Sequence, residues 1–212
     1  MSTSEVQPTP AQRARTAFDE HLSVTLDLQL EPLKAGYAED AVLHAPDGVS
    51  KGREAIGAWF SERAHFFRAL GLRPERIEAR EGFVNIDWWA GQDPEQPPIT
   101  GRDEFDINDE GLIIEQRIVG LGKANRPPHY VRVEIEPPIS RLVLDRDEKR
   151  NAVSRAMLDT MTNFVNEVAA DPTIRTIVIS GAGRDLSAGE DVKGFDFPDD
   201  ATAVEFLKGP LG

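Results

Sequence analysis

The sequence predicts an α+β layer fold followed by a strand, helix and strand of α/β type. Three observations carry this. Apolar residues recur at helical spacing through the first third of the chain, and alternation of period two replaces that spacing from residue 83 to about residue 121. After residue 130 a pair of apolar strands leads into one amphipathic helix and a further apolar run ending in glycines. Gly, Pro and charge interrupt the two patterns at "GLGKANRPPHY", residues 120–130, which reads as a linker. The expected division is a disordered N-terminus at 1–10, a first domain at 11–121, a linker at 122–129 and a second segment at 130–212.

Ala14, Phe18, Leu22 and Leu26 lie four apart and predict the first helix. Leu30, Leu33 and Tyr37 predict a short second helix, with Pro32 tolerated only in its first turn. A third follows "SKGRE", with Ile56, Trp59, Phe60, Arg63, Phe67 and Leu70 along one stripe. "GFVNIDWWAG" then alternates Val84, Ile86 and Trp88 against Phe83, Asn85, Asp87 and Trp89, and "ITGRDEFDINDEGLIIEQRIVGL" reads as two strands around a turn at Asn108 to Gly111. Large side chains on both faces of the first of these strands predict a dimer formed through the sheet. In the second segment "YVRVEIEPPISRLVLDR" is a strand pair turning at Pro137 and Pro138. Ser154 is placed to cap a helix striped by Met157, Leu158, Met161, Phe164, Val165 and Val168, and "TIRTIVISGAG" reads as a short buried strand.

Composition excludes several classes. With 37 acidic and 24 basic residues the net charge is −13, which repels nucleic-acid backbones and anionic membranes. Without cysteine there is no disulfide, thiolate metal site or cysteine nucleophile, and no metal site is expected. The opening "MSTSEVQPTPAQ" has no apolar core of a leader, and no run of about 18 apolar residues occurs, so a soluble cytoplasmic protein is expected.

The stretch "LDLQLEPLKAGYAEDAVLHAPDGVSKGREAIGAWF", with "GRDEFDINDEGLIIEQ" after it, resembles the nuclear transport factor 2-like superfamily, in particular its SnoaL-type polyketide-cyclase and ketosteroid-isomerase branches. The resemblance implies a cone of helices and curved antiparallel sheet over residues 11–121, a fold that hosts isomerases, cyclases, hydrolases and binding modules alike. It places His21 where a ketosteroid isomerase has its oxyanion-hole tyrosine, Asp103 where it has a protonated aspartate, and Ala45 at the position of the catalytic base. An alanine cannot shuttle a proton, so isomerase chemistry would need Asp47 or His44 instead.

The patterns alone give Asp103 and His21 a place on apolar faces. Asp103 shares its strand face with Phe105 and Ile107, so burial is expected to raise its pKa and favour a hydrogen-bond-donating acid. His21 follows Phe18 by three on the apolar side of its helix. The plainer alternative for each is a core polar residue with a backbone partner. Trp59, Phe60, Trp88 and Trp89 read as core or dimer interface, with Trp59 and Trp89 also candidates for the pocket.

From Tyr130 onward, "LDRDEKRNAVS", a helix, "DPTIRTIVISGAG" and "LSAGEDVKGF" in that order resemble the N-terminal part of a crotonase, the enoyl-CoA hydratase/isomerase superfamily. The resemblance implies a CoA thioester as substrate, no covalently bound cofactor, and Lys149, Arg150, Ala152, Ala188, Gly189, Asp191 and Val192 along CoA, with the backbone N–H of Glu190 as one oxyanion donor. An enolate-forming thioester concentrates negative charge on its oxygen, and each preorganised N–H in a dry site contributes about 3 kcal/mol. The family's second donor and its catalytic carboxylates come later in the domain, and residues 196–212 are too few to hold them. An incomplete crotonase site, either a truncated product or one part of a split protein with a complementing crotonase chain, is therefore expected beside a homodimerising SnoaL-like domain. Two other readings stand beside it: a non-catalytic small-molecule-binding or dimerisation module, and an isomerase or cyclase using His21 and Asp103.

Overall fold

The computed structural model describes residues 8–64, 71–91 and 97–191. Helix α1 (Pro10–Leu26) begins where Thr9 and Gln12 form a reciprocal capping box, with Pro10 at a position whose N–H has no helical acceptor. Its stripe buries Ala14, Phe18 and His21. Helix α2 (Leu30–Ala35) buries Leu33, and Gly36 closes it. Tyr37 therefore does not end that helix, as its spacing suggested, but opens strand β1 (Tyr37–Ala45). With β2 (Gly48–Lys51) and β3 (Leu72–Arg80), β1 departs from the expectation of three helices followed directly by the strands of 83–121. All three carry charged residues at outward positions, and β3 also contains Pro74, so their apolar alternation is weak. Helix α3 (Arg53–Glu62) buries Ile56, Gly57 and Phe60. The expected continuation of its stripe to Phe67 and Leu70 lies outside the described residues.

Strands β4 (Phe83–Ala90), β5 (Ile99–Ile107) and β6 (Ile113–Lys123) form where alternation places them. They continue into β7 (Val131–Glu136), β8 (Ile139–Leu144) and, after helix α4 (Arg155–Ala169), β9 (Thr176–Gly181). Ser154 caps α4 by accepting the N–H of Met157. One mixed sheet results, in the order β2-β1-β6-β5-β4-β3-β7-β8-β9. The sheet thus runs across the boundary at 122–129, through parallel pairing of β3 with β7.

That pairing sets which face each half buries. Val133 and Ile135 stand level with Arg76 and Glu78, while Glu134 stands level with Ile77. Ile77 belongs to the core under α1, α2 and α3, with Phe18, Tyr37, Val84, Ile86 and Phe105. Val133 and Ile135 belong to a second core, with Leu142, Met157, Phe164 and Val168. The first three helices and α4 therefore cover opposite faces. Ion pairs fasten each across the junction: Arg15 of α1 reaches Glu134 at 3.2 Å, and Arg76 of β3 grips both carboxylate oxygens of Glu167 on α4.

The outward face of β4 to β6 is polar, with Asp87 paired to Arg102 and Asp106 to Arg117. Apolar side chains are exposed at both ends of the sheet: Ile114, Val119 and Leu121 of β6 at one, and residues of β9 at the other. β9, read from its sequence as buried, is an edge strand with Ile177, Val178 and Ile179 exposed. Leu158 and Val165 of the α4 stripe are exposed as well, because α4 packs on β7 and only part of its stripe meets a partner. An uncharged apolar edge strand is a template for strand pairing. Self-association of the chain at high concentration is expected to fall in Ile179→Lys; sedimentation velocity of both proteins checks this, and unchanged association would place the contact elsewhere.

Candidate functional site

A cavity of about 340 Å³ opens between α1, α3 and the inward face of the sheet, within the size range of small-molecule pockets. Its walls are mostly apolar: Phe18, Leu22, Phe60, Ile86, Phe105 and Ile118 among them. Polar groups enter from two places. Asp103, Gln116, Trp88 and His21 contribute from the sheet and α1, and Asp47, Trp59 and Arg63 from the β1–β2 turn and α3.

Asp103 is the chemically distinctive member. Trp88 Nε1 donates to its Oδ1 and Gln116 Nε2 to its Oδ2, both at 3.1 Å. Gln116 is itself oriented, because the Tyr37 hydroxyl donates to its Oε1. Trp88 reaches the carboxylate because Gly101, level with it on β5, has no Cβ; a methyl group there would collide with the indole. Burial raises the Asp103 pKa to about 6 against the opposing pull of the two donors. Above that pH the side chain is a carboxylate that accepts hydrogen bonds, rather than the protonated donor its apolar strand face suggested.

His21 lies 6% exposed among the rings of Tyr37, Phe60 and Phe105. Burial alone lowers its pKa to about 4, so the ring is neutral through the physiological range. Nε2 lies 3.3 Å from Thr25 Oγ1, and Nδ1 is buried with no partner among the described residues. Trp59 lines the cavity. Trp89 does not: it is placed on the other side of the strand and donates to the Arg126 carbonyl at 3.1 Å. The two substitutes for a catalytic base fare poorly. His44 pairs with Glu115 at 2.9 Å away from the cavity lining. Asp47 sits at the cavity margin, where the Trp59 indole N–H and then Arg63 hold its carboxyl below the ordinary range. Neither Tyr37 nor Gln116 is marked by local pattern, since Tyr37 lies at helical spacing from Leu33 although it opens β1. A polar Gln116 at an inward position, level with Phe105, is the one signal that pointed here.

The second cluster is a loop held by Asn151. Arg150 and Asn151 both adopt left-handed backbone, with φ of 51° and 55°. Asn151 is fully buried, donates to the Ala182 and Asp185 carbonyls and accepts from Arg146 N–H. Arg150 pairs with Asp185 at 2.9 Å and Arg146 with Asp191 at 2.7 Å. The run 188–191 is then pinned beside 150–153. Ala188 N–H donates to Arg150 O, Gly189 N–H to Ser187 Oγ and Asp191 N–H to Val153 O. Glu190 N–H engages no acceptor among the described residues. Lys149 ends a 3-10 turn and Ala152 follows Asn151, so all six other described candidates lie with Glu190 in two adjoining strips, the second closed by Asp191. Val192 lies outside the described residues. Asn151 and Arg146 were missed, although asparagine after a charged turn is a usual left-handed residue.

The enoyl-CoA hydratase/isomerase family model matches residues 139–205. Hydroxycinnamoyl-CoA hydratase-lyase of Pseudomonas fluorescens is 40% identical over 63 residues, covering 30% of this chain and 23% of that protein. 1,2-Epoxyphenylacetyl-CoA isomerase of Escherichia coli is 28% identical over 88 residues, 39% of this chain and 34% of that protein. The chain thus spans about a quarter to a third of the length of these relatives. Among solved structures, an NTF-2 like protein of unknown function from Burkholderia xenovorans aligns with a TM-score of 0.48 at 14% identity, covering 57% of this chain and 91% of its own. No helix among the described residues is long and apolar enough to cross a membrane.

Asp103 and His21 respond to acid in opposite senses. The folded-state pKa of Asp103 lies above its ordinary value, so its contribution to stability is full below about pH 4 and lost as pH rises through about 6. That of His21 lies below its ordinary value, so its contribution is full above about pH 6.5 and lost as pH falls through about 4. Each shift corresponds to about 3 kcal/mol, and the two nearly cancel. Relative to wild type, Asp103→Asn is expected to lose stability between pH 7 and pH 4.5 and His21→Phe to gain it. Urea unfolding at the two pH values checks this; identical pH slopes in all three proteins would contradict it.

Proposed function

We propose that this chain serves acyl-CoA chemistry through two units joined at 122–129: residues 130–212 contact a CoA thioester, and the cavity within residues 11–121 takes a small apolar molecule. The observation that carries the first part is the loop at 188–191, in which three N–H groups are engaged and that of Glu190 is left beside the 149–152 strip. The family match at 139–205 supports the same reading, and both relatives are named for CoA thioesters. An N–H held on a fixed backbone needs no reorganisation as charge develops on a thioester oxygen. The Arg146–Asp191 pair borders that position, next in the chain to Glu190. One such donor is half of an oxyanion hole, and hydration also needs an acid/base carboxylate to position water. The resemblance assigns both to later parts of a crotonase domain, so turnover calls for a complementing crotonase portion.

Crotonyl-CoA is expected to shift the Glu190 amide resonance of the chain without being hydrated. Addition of the remaining crotonase portion as a separate polypeptide is expected to tighten binding. Failure to bind crotonyl-CoA under both conditions would end the acyl-CoA reading, and robust hydration by the 212-residue chain alone would end the incomplete-site reading.

The cavity supports a second reading, small-molecule binding by the first unit independent of CoA. A pocket of about 340 Å³ with apolar walls and one buried carboxylate suits a compact ring system bearing a single polar group. 2-Naphthol is expected to bind the chain, and Ile118→Trp, which fills the cavity, to abolish binding without unfolding. Equal binding by the filled variant, measured by calorimetry, would place the ligand outside the cavity. With Ala45 at the base position and His44 directed elsewhere, this reading is one of binding rather than ketosteroid isomerisation.

A further inference from the structure

Two donors aimed at one buried carboxylate leave it a defined role, and the direction of those bonds is set from further away. Gln116 could face Asp103 with either end of its amide. A carbonyl facing a carboxylate would repel it; an NH₂ group attracts it. Tyr37, fully buried behind Gln116, reinforces that choice: a phenol can also accept, but its buried proton needs an acceptor and finds it in Oε1, which leaves Nε2 toward Asp103. Burial and the nearby Asp103 charge raise the Tyr37 pKa, which keeps it a neutral donor at all working pH values. On the other oxygen Trp88 offers only an N–H, since indole nitrogen cannot accept. Asp103 is thus surrounded by donors committed to it, and each of its oxygens retains a lone pair beyond the one already used.

We propose that Tyr37 is a positioning residue that, through Gln116, holds Asp103 as a hydrogen-bond acceptor, so that the cavity selects apolar ligands presenting a hydroxyl or N–H donor over isosteric ketones and ethers. The proposal rests on the cavity-binding reading above. The relay itself runs from the first residue of β1 through β6 to β5, three neighbouring strands, and its members other than Asp103 touch the carboxylate or act through one that does. Neutral His21, in edge contact with Tyr37, adds no charge that would compete.

The test compares 2-naphthol, its methyl ether and 2-tetralone by calorimetry on the full chain, with the Asp103 carboxyl titration followed by carbon NMR. Wild type at pH 8 is expected to bind 2-naphthol about tenfold tighter than the ether or ketone, the scale of one charge-assisted hydrogen bond. Below pH 6 Asp103 is protonated and able to donate, so the preference is expected to collapse. Tyr37→Phe, which removes one oxygen and keeps the ring, frees the Gln116 amide to turn. It is expected to raise the Asp103 titration midpoint and cut the preference to within about threefold. Gln116→Leu is expected to do the same, whereas Thr162→Val, which removes only an exposed bond within α4 to the Leu158 carbonyl, retains both wild-type values. Equal affinity for the three compounds in wild type overturns the selectivity. An Asp103 midpoint unmoved by Tyr37→Phe overturns the relay. Absence of binding by all three compounds sinks the cavity reading and the selectivity together, while a shifted midpoint in that case leaves the relay standing.

Discussion

β3 is paired on both sides, antiparallel to β4 and parallel to β7, and the rest of the molecule depends on that double pairing. Side chains alternate along a strand with period two, so the register at one shared position decides the facing of everything beyond it. Because Val133 stands level with outward Arg76, the apolar residues of β7 and β8 face away from the first core. Helix α4 must then cover the opposite face. Two cores back to back on one sheet follow from a single register, and a slip of one residue would turn Val133 and Ile135 toward α1 and Glu134 toward α4. The ion pairs Arg15–Glu134 and Arg76–Glu167 lie on the two faces of this junction. Arg76–Glu167, partly exposed, guards the register more than it adds stability; Arg15–Glu134 is largely buried, so a slip that separated it would strand a buried charge.

The same alternation explains how a carboxylate enters an apolar cavity. Asp103 occupies an inward position of β5 between Gly101 and Phe105, and an isolated charge at that depth would be costly. The neighbouring strands supply what water no longer can: Trp88 from β4 on one side and Gln116 from β6 on the other. Desolvation still dominates, which is why the pKa settles near 6 rather than at the value of an exposed aspartate. The loop at 188–191 uses the reverse economy. There the polar groups are backbone, Asn151 satisfies the carbonyls around it, and one N–H is left over.

Legibility in the sequence followed the strength of local pattern. α1, α4, β4 and the β5–β6 and β7–β8 pairs were readable because their periods are clean and their caps and turns are standard. β1 to β3 were not, since charge at outward positions and Pro74 obscure alternation, and Tyr37 falls at helical spacing from Leu33 while belonging to a strand. β9 shows the opposite limit: an apolar run announces a strand but not whether anything covers it, for burial is a property of neighbours. At the cavity, Asp103, His21 and Trp59 were recognisable from their faces. The protonation state of Asp103 was not, because it balances burial against donors that Trp88 and Gln116 bring from neighbouring strands. Trp89 was placed in the cavity on residue type alone, and its parity on β4 puts it elsewhere.

Gly101 carries a consequence of a different kind. The space left by its absent side chain is filled by the Trp88 indole, which lines the 340 Å³ cavity on one face of the sheet and also a groove on the other, bordered by Arg102, Val119 and residues of α4. At this point the sheet is glazed rather than walled: a single aromatic pane separates a cavity built by the first half of the chain from a groove to which both halves contribute. Whatever tilts that pane alters the volume available on both sides at once, so the two halves share a partition as well as a backbone.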